Sequence, residues 1–144
     1  MPFFKDTTLL ITHYNRSNSL ERLLKRFREL ELNFEEVVVS DDGSKPEHLD
    51  RLKEMEGQYG YRLVTAPKNK GLANNLNKGQ AAVKTPFTLY VQEDFDPRPI
   101  FVEKLANAVQ FITERPEIDM VRFYAYWKYP FLKPYKNGFS EMDF

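Results

Sequence analysis

Short apolar runs rich in β-branched residues alternate along this chain with longer stretches whose apolar residues return every three or four positions. The first pattern fits strands and the second fits amphipathic helices. Thr7-Thr-Leu-Leu-Ile-Thr12 predicts the first strand. Leu20, Leu23, Leu24, Phe27 and Leu30 then form one apolar helical face, with Arg22, Lys25, Arg26 and Arg28 on the solvated side. Val37-Val-Val-Ser40 predicts a second strand, and an unbroken valine run suits a parallel strand covered on both faces. A helix over Pro46–Met55 and a strand over Tyr61-Arg-Leu-Val-Thr65 follow. Gly71 opens a third helix, with Leu72, Leu76 and Val83 on one side and Asn74, Asn75, Asn77 and Lys78 on the other. Phe87, Leu89 and Val91 alternate with Thr88, Tyr90 and Gln92 in a fourth strand. Pro99 and Pro116 bracket a fourth helix with Val102, Leu105, Val109 and Ile112 on its apolar face, and Asp119-Met-Val-Arg-Phe-Tyr124 predicts a fifth strand. Asn18 with Glu21, and Ser44 with Glu47, have the spacing of capping boxes.

Strands and helices in strict alternation imply an α/β fold, a mostly parallel sheet flanked by helices. In such sheets ligands bind beyond the carboxyl ends of the strands, where the strand order reverses. The polar segments Thr12–Arg16, Asp41–Asp42 and Gln92–Asp96 each follow a strand at that edge.

Composition narrows the function classes. A length of 144 residues predicts one domain with a full core. Lys plus Arg and Asp plus Glu balance at 21 each, so no bulk charge points to nucleic acid. The chain has no cysteine, which rules out disulfides and thiolate chemistry, and its two histidines, His13 and His48, are too few for a multi-histidine zinc site. Met1-Pro-Phe-Phe-Lys-Asp6 lacks the basic region and apolar run of a signal peptide, and no apolar run reaches spanning length. A cytoplasmic protein is expected, with peripheral attachment to a membrane left open.

The densest chemistry lies at Glu93, Asp94 and Asp96, where the fourth strand runs out. Hard carboxylate ligands of this kind suit Mg²⁺ or Mn²⁺ shared with a phosphate, and the competing reading is an acidic loop leading into the next helix. Asp41 and Asp42 are adjacent carboxylates that a turn alone does not need. Asparagine is a poor helix former, so Asn69, Asn74, Asn75 and Asn77 predict either contacts to a phosphate or sugar hydroxyl or a solvent-facing polar helix. Aromatic residues crowd into Phe123–Phe139, Tyr126 among them. They read either as platforms for sugar faces or as a buried face awaiting further chain. The closing Glu141-Met-Asp-Phe144 has no terminating element, so a longer protein is expected.

Together these motifs resemble the nucleotide-sugar-binding part of GT-A fold glycosyltransferases, in particular the inverting family 2. Thr12-His-Tyr-Asn-Arg16 matches the loop after the family's first strand, and Asp41-Asp-Gly-Ser44 matches its second motif. Asn69-Lys-Gly71 with Asn77-Lys-Gly79 matches the third, and Pro99-Ile-Phe-Val-Glu-Lys-Leu105 matches the helix after its Asp-x-Asp metal motif. The likeness covers residues 7–112, leaving 113–144 as the start of an acceptor-side region. It implies transfer of a sugar from a nucleotide sugar, most naturally a UDP-sugar, to a glycan or lipid-linked acceptor with inversion, as in polysaccharide biosynthesis. Thr12 and Tyr14 would line the base pocket, Asp42 would accept from uracil, and Asp41 would lie towards the nucleoside. Arg16, Asn69, Gly71 and Asn77 complete the implied nucleotide set. Asp94 would hold Mg²⁺ or Mn²⁺, with Glu93 and Asp96 as further carboxylates. Gln92 stands where the first aspartate of Asp-x-Asp belongs, Phe95 where another often follows, and Asn75 where alanine is usual. No motif identifies the catalytic base, although Glu141 and Asp143 lie in the right direction along the chain. The alternatives are a non-catalytic nucleotide-sugar-binding module and a sugar nucleotidyltransferase. The latter is disfavoured because no glycine-rich loop follows the first strand.

Overall fold

The computed structural model describes residues 3–125 and 127–142, in two compact units, Met1–Pro97 and Arg98–Phe144. The first unit holds four parallel strands, β1 (Phe3–His13), β2 (Asn33–Asp41), β3 (Arg62–Val64) and β4 (Phe87–Gln92), in the order β3-β2-β1-β4. Three helices connect them: α1 (Ser17–Glu29), α2 (Pro46–Tyr59) and α3 (Leu72–Ala82). Right-handed crossovers put α1 and α2 on one face and α3 on the other, because the chain reverses direction across the sheet after β3. That reversal lies between β1 and β4. Thr12 pairs there with Gln92, while His13 pairs with Asp41 on the other side.

The apolar pattern accounts for the core. Leu20, Leu23, Leu24 and Phe27 of α1 are buried, as are Leu9, Leu10, Ile11, Val38 and Val39 in the two central strands. Each such side chain contributes roughly 1.5–3 kcal/mol relative to exposure. β1 and β2 run longer than their apolar runs, since Phe3 and Phe4 pair with Asn33 and Phe34 beyond a bulge, and the Phe4 and Phe34 rings stack at 5.7 Å. Helix α2 passes Met55 and stops at Gly60, which takes the left-handed φ of 71° that ends many helices.

Three expectations about local structure are corrected. Neither capping box forms: α1 begins after Arg16 and α2 after Lys45, both without a side-chain cap, and Ser44 is engaged by Asp41 instead. The buried face of α3 is not the leucine side. Leu72 is 52% exposed, whereas Asn75 and Gly79 face the sheet. A Cβ at Gly79 would lie 2.6 Å from Leu10 Cδ1, so the helix packs closely because that position lacks one. Residues 119–124 form no strand, and Met120 is among the exposed apolar residues, so this run gains no burial that would fix an extended pairing.

The second unit is α4 (Ile100–Glu114) with an antiparallel hairpin, β5 (Leu132–Pro134) and β6 (Ser140–Met142). Asn137 and Gly138 take φ values of 55° and 82°, and the Phe139 N–H donates to the Lys136 carbonyl, as in a type I′ turn. Leu105, Ala108 and Phe111 are the buried positions of α4. Several of the aromatic residues pack on this helix: Tyr135 and Phe139 meet Phe111 edge-on at 5.0 and 5.2 Å, and Phe123 meets Phe101 at 5.1 Å. Trp127 and Phe131 stay exposed. Tyr126 and Asp143 lie outside the described residues.

Candidate functional site

The strand ends are tied together beneath the surface by one buried network. The Arg16 N–H donates to His13 Nε2 at 3.0 Å, so that nitrogen carries no proton. The proton therefore sits on Nδ1, which donates to Asp41 Oδ1 at 2.8 Å. Ser44 adds its N–H to Asp41 Oδ2 at 2.9 Å and its hydroxyl to Oδ1 at 2.5 Å. Burial alone would push the Asp41 carboxyl up, but the bonds from His13 and Ser44 outweigh it and hold the group below the usual carboxylate range. Asn15 joins the two loops directly. It adopts φ 51°, its N–H donates to Ser44 Oγ at 2.9 Å, and its Oδ1 accepts the Lys45 N–H at 2.8 Å. This turn leaves Tyr14 and Arg16 free to line the cleft.

Asp42 anchors a third segment. Its Oδ1 accepts the Lys70 N–H at 2.8 Å and its Oδ2 the Gly71 N–H at 3.0 Å. Gly43, with φ 69°, lets that segment pass, since a Cβ there would lie 2.3 Å from the Lys68 carbonyl carbon. Asn75 secures α3 at the same edge. Its Nδ2 donates to the His13 and Ser40 carbonyls at 3.3 and 3.0 Å, and its Oδ1 accepts Ser40 Oγ at 2.8 Å. The Lys78 ammonium donates to the Asp41 carbonyl, and burial pushes its pKa down.

These ties shape a cleft of about 250 Å³ at the carboxyl edge of β1 and β4. Thr12, Tyr14, Arg16, Asp42, Asn69 and Gly71 line it, with Glu93 on the β4 side. Thr12 Oγ1 is hydrogen-bonded to the Tyr90 hydroxyl at 2.9 Å, and the Tyr14 ring is 42% exposed at the mouth. Not every predicted site residue arrives there. Asp41 is fully buried in the network below, and Asn77 lies on the exposed side of α3. Asp96 turns to Arg26 at 3.5 Å, away from the cleft. Sequence reasoning missed His13, Asn15, Ser44 and Asn75 as the frame. The available signal was Asp41 itself, because a buried carboxylate demands several donors close by.

Glu93 and Asp94 both face the Arg16 side chain. Asp94 Oδ2 is 2.8 Å from Arg16 Nη1, and Glu93 Oε1 is 3.9 Å from Nε. Glu93 is buried, which pushes its carboxyl up. Among the described residues no group of three His, Cys, Asp or Glu side chains gathers as a closed metal cage. One or two carboxylates are nevertheless what Mg²⁺ or Mn²⁺ uses when a diphosphate supplies the remaining oxygens. Two carboxylates already converging on a guanidinium fit that donor set, and Asp96 stands outside it. In the second unit, Glu141 is paired with Arg115.

A cholesterol galactosyltransferase of Borreliella burgdorferi is 23% identical over 120 residues, covering 83% of this chain and 33% of that protein. S. aureus TarS, solved in complex with UDP-GlcNAc, shares the fold with a TM-score of 0.62 at 23% identity over 77% of this chain and 32% of its own. A mannosyltransferase from Pyrobaculum calidifontis, in complex with GDP-Man and Mn²⁺, gives a TM-score of 0.63 at 21% identity over 78% of this chain and 33% of its own. The chain thus spans about a third of the length of these relatives. With the family's sequence model matching residues 8–138, this chain belongs to glycosyl transferase family 2.

Proposed function

We propose that the chain is the donor-binding part of a glycosyltransferase. In this reading it acts on a nucleotide sugar, a UDP-sugar foremost, and passes the sugar to a glycan or lipid-linked acceptor with inversion. The observation that supports it best is the cleft, which lies at the strand-order reversal and joins an open tyrosine ring to Glu93 and to Arg16, whose guanidinium Asp94 also faces. Tyr14 and Thr12 hold the base. Each oxygen of Asp42 keeps a lone pair beyond its bond to the Lys70 or Gly71 N–H, so Asp42 accepts the uracil N–H. Asn69, Gly71 and the first turn of α3 run alongside the ribose and diphosphate, where free helix N–H groups favour an anion. Arg16, Glu93 and Asp94 face the diphosphate. Mg²⁺ or Mn²⁺ bound there would offset the charge that builds on the leaving nucleoside diphosphate. Inverting transfer also needs a carboxylate to deprotonate the acceptor hydroxyl. We assign that role to no residue of this chain. A lipid-linked acceptor would place the reaction at the cytoplasmic face of a membrane. No described helix is long and apolar enough to cross one.

Gln92 supports a second reading, a nucleotide-sugar-binding module without turnover. It pairs in register with Thr12 at the floor of the cleft, where a carboxylate would strengthen a metal site. Calorimetric titration with UDP, with Mn²⁺ and then with EDTA, tests the donor site, with GDP beside it and an Asp94→Ala variant. Metal-assisted UDP binding that weakens at least tenfold in the variant is expected. A folded chain that binds neither nucleotide would overturn the reading. Turnover by the intact protein separates the enzyme from the module.

A further inference from the structure

Arg16 is held differently at its two ends. Its backbone is fixed, since its N–H bonds to buried His13 and its carbonyl accepts the Leu20 N–H at 3.0 Å as the first bond of α1. Its side chain is more than half exposed and reaches over the cleft to Asp94 and Glu93. A guanidinium at 2.8 Å occupies the same carboxylate lone pairs that a divalent cation would take. It also adds a like charge beside any cation that arrives.

From this geometry we infer that Arg16 is an exchangeable counter-ion of the metal carboxylates. Without donor it neutralises Asp94 and Glu93 and suppresses binding of a divalent cation. When a nucleoside diphosphate enters, the guanidinium moves onto its oxygens and frees the carboxylates for the metal. The chain would then take up its cation together with the donor rather than ahead of it. The inference rests on the donor-site reading above and assigns that site an order of binding. Because the backbone of Arg16 is pinned, the exchange needs only side-chain rotation.

The test is Mn²⁺ titration of the full chain, followed by loss of the free-ion electron paramagnetic resonance signal, with and without UDP. Arg16→Gln, Arg16→Lys and Asp94→Asn are compared with the parent protein, each checked for an unchanged fold by circular dichroism. Without nucleotide, Arg16→Gln should bind Mn²⁺ about 3- to 10-fold more tightly, as removal of a partly exposed ion pair and a like charge predicts. Arg16→Lys should fall between Arg16→Gln and the parent. UDP should tighten Mn²⁺ in the parent and do so less in Arg16→Gln, and by reciprocity Mn²⁺ should tighten UDP by the same factors. The difference between parent and Arg16→Gln should shrink at 1 M salt, where the Debye length falls to about 3 Å. Equal or weaker Mn²⁺ binding by Arg16→Gln without UDP overturns the proposal. So does the absence of Mn²⁺ binding in both proteins, or a gain in Arg16→Gln that survives addition of Asp94→Asn. If the donor reading alone fails, the parent ignores UDP while the nucleotide-free contrast between parent and Arg16→Gln persists.

Discussion

Two buried carboxylates of this chain hold their protons in opposite ways, and each leaves its own mark on stability. Asp41 accepts from His13 and twice from Ser44 in a site closed to water. Its folded pKa lies below the unfolded value of about 3.9, so its stabilisation is present above that value and is lost as pH falls through the folded one. Glu93 is buried without comparable donors, and its folded pKa is raised. Its sign is reversed: its protonated form favours the fold, and that contribution fades as pH rises through the folded value. Asp41→Asn should cost about 2–4 kcal/mol at pH 7, because an amide NH₂ would face the Ser44 N–H or the His13 Nδ1–H. Glu93→Gln should be neutral or mildly stabilising at pH 7 and should lose its share of the slope just above the ordinary glutamate range. Urea denaturation at several pH values checks both signs. An unchanged midpoint for Asp41→Asn at pH 7 would contradict the account of the buried network.

At the scale of elements, the close approaches make sharper predictions than the apolar faces. Gly79→Ala puts its methyl against the end of a leucine side chain, which can shift, so a cost of about 1–3 kcal/mol is expected. Gly43→Ala puts its methyl against the backbone at Lys68 and also requires φ 69°. It should cost more than Gly79→Ala and, by displacing the Lys70–Gly71 segment from Asp42, should abolish nucleotide binding in whatever fraction still folds. Asn75→Ala removes one donor from the His13 carbonyl, which keeps the Asp42 N–H, and one from the Ser40 carbonyl, at roughly 1–3 kcal/mol. Thermal midpoints measured beside UDP affinities order the three variants. These positions also mark how far the sequence could be read. The strands β1, β2 and β4 and the helix α1 were legible because their apolar residues fall in runs, in alternation or at helical spacing and meet in one core. The inward face of α3 was not, because an asparagine there becomes a core residue only when Ser40 and two carbonyls take up its amide. Ser44 has a capping-box spacing, and nothing local reveals that Asp41 claims its hydroxyl. The Asn137-Gly138 turn did carry a local signal, being the strongest short hairpin dipeptide, and it outweighs the nearby prolines. By contrast, 119–124 looked like a strand by composition alone, and composition supplies no partner.

At the scale of the whole molecule, the proposed donor site and its frame belong to one unit. The cleft, the Asp41 network, the Asp42 anchor and the carboxylates facing Arg16 all fall within Met1–Pro97. The α4 helix and the β5–β6 hairpin form the unit from Arg98 onward, with its own aromatic cluster. Ligand binding stabilises whatever structure it requires, by about 2.7 kcal/mol at a hundred times Kd. Saturation with UDP and Mn²⁺ should therefore slow amide hydrogen exchange first where the backbone supports the cleft. Those places are residues 12–16 at the end of β1, 42–44 after β2, 68–75 into α3 and 92–94 at the end of β4. The hairpin amides at Leu132 to Met142 take no part in that frame and should exchange at their ligand-free rate. The Asp41→Asn variant should lose part of the protection at residues 12–16 and 42–44 together, since one buried carboxylate holds both loops. Protection confined to the hairpin, with 42–44 and 68–75 unchanged, would move the donor site out of this cleft. Protection at 68–75 alone would leave Asp42 as an anchor but would remove the strand ends from the site.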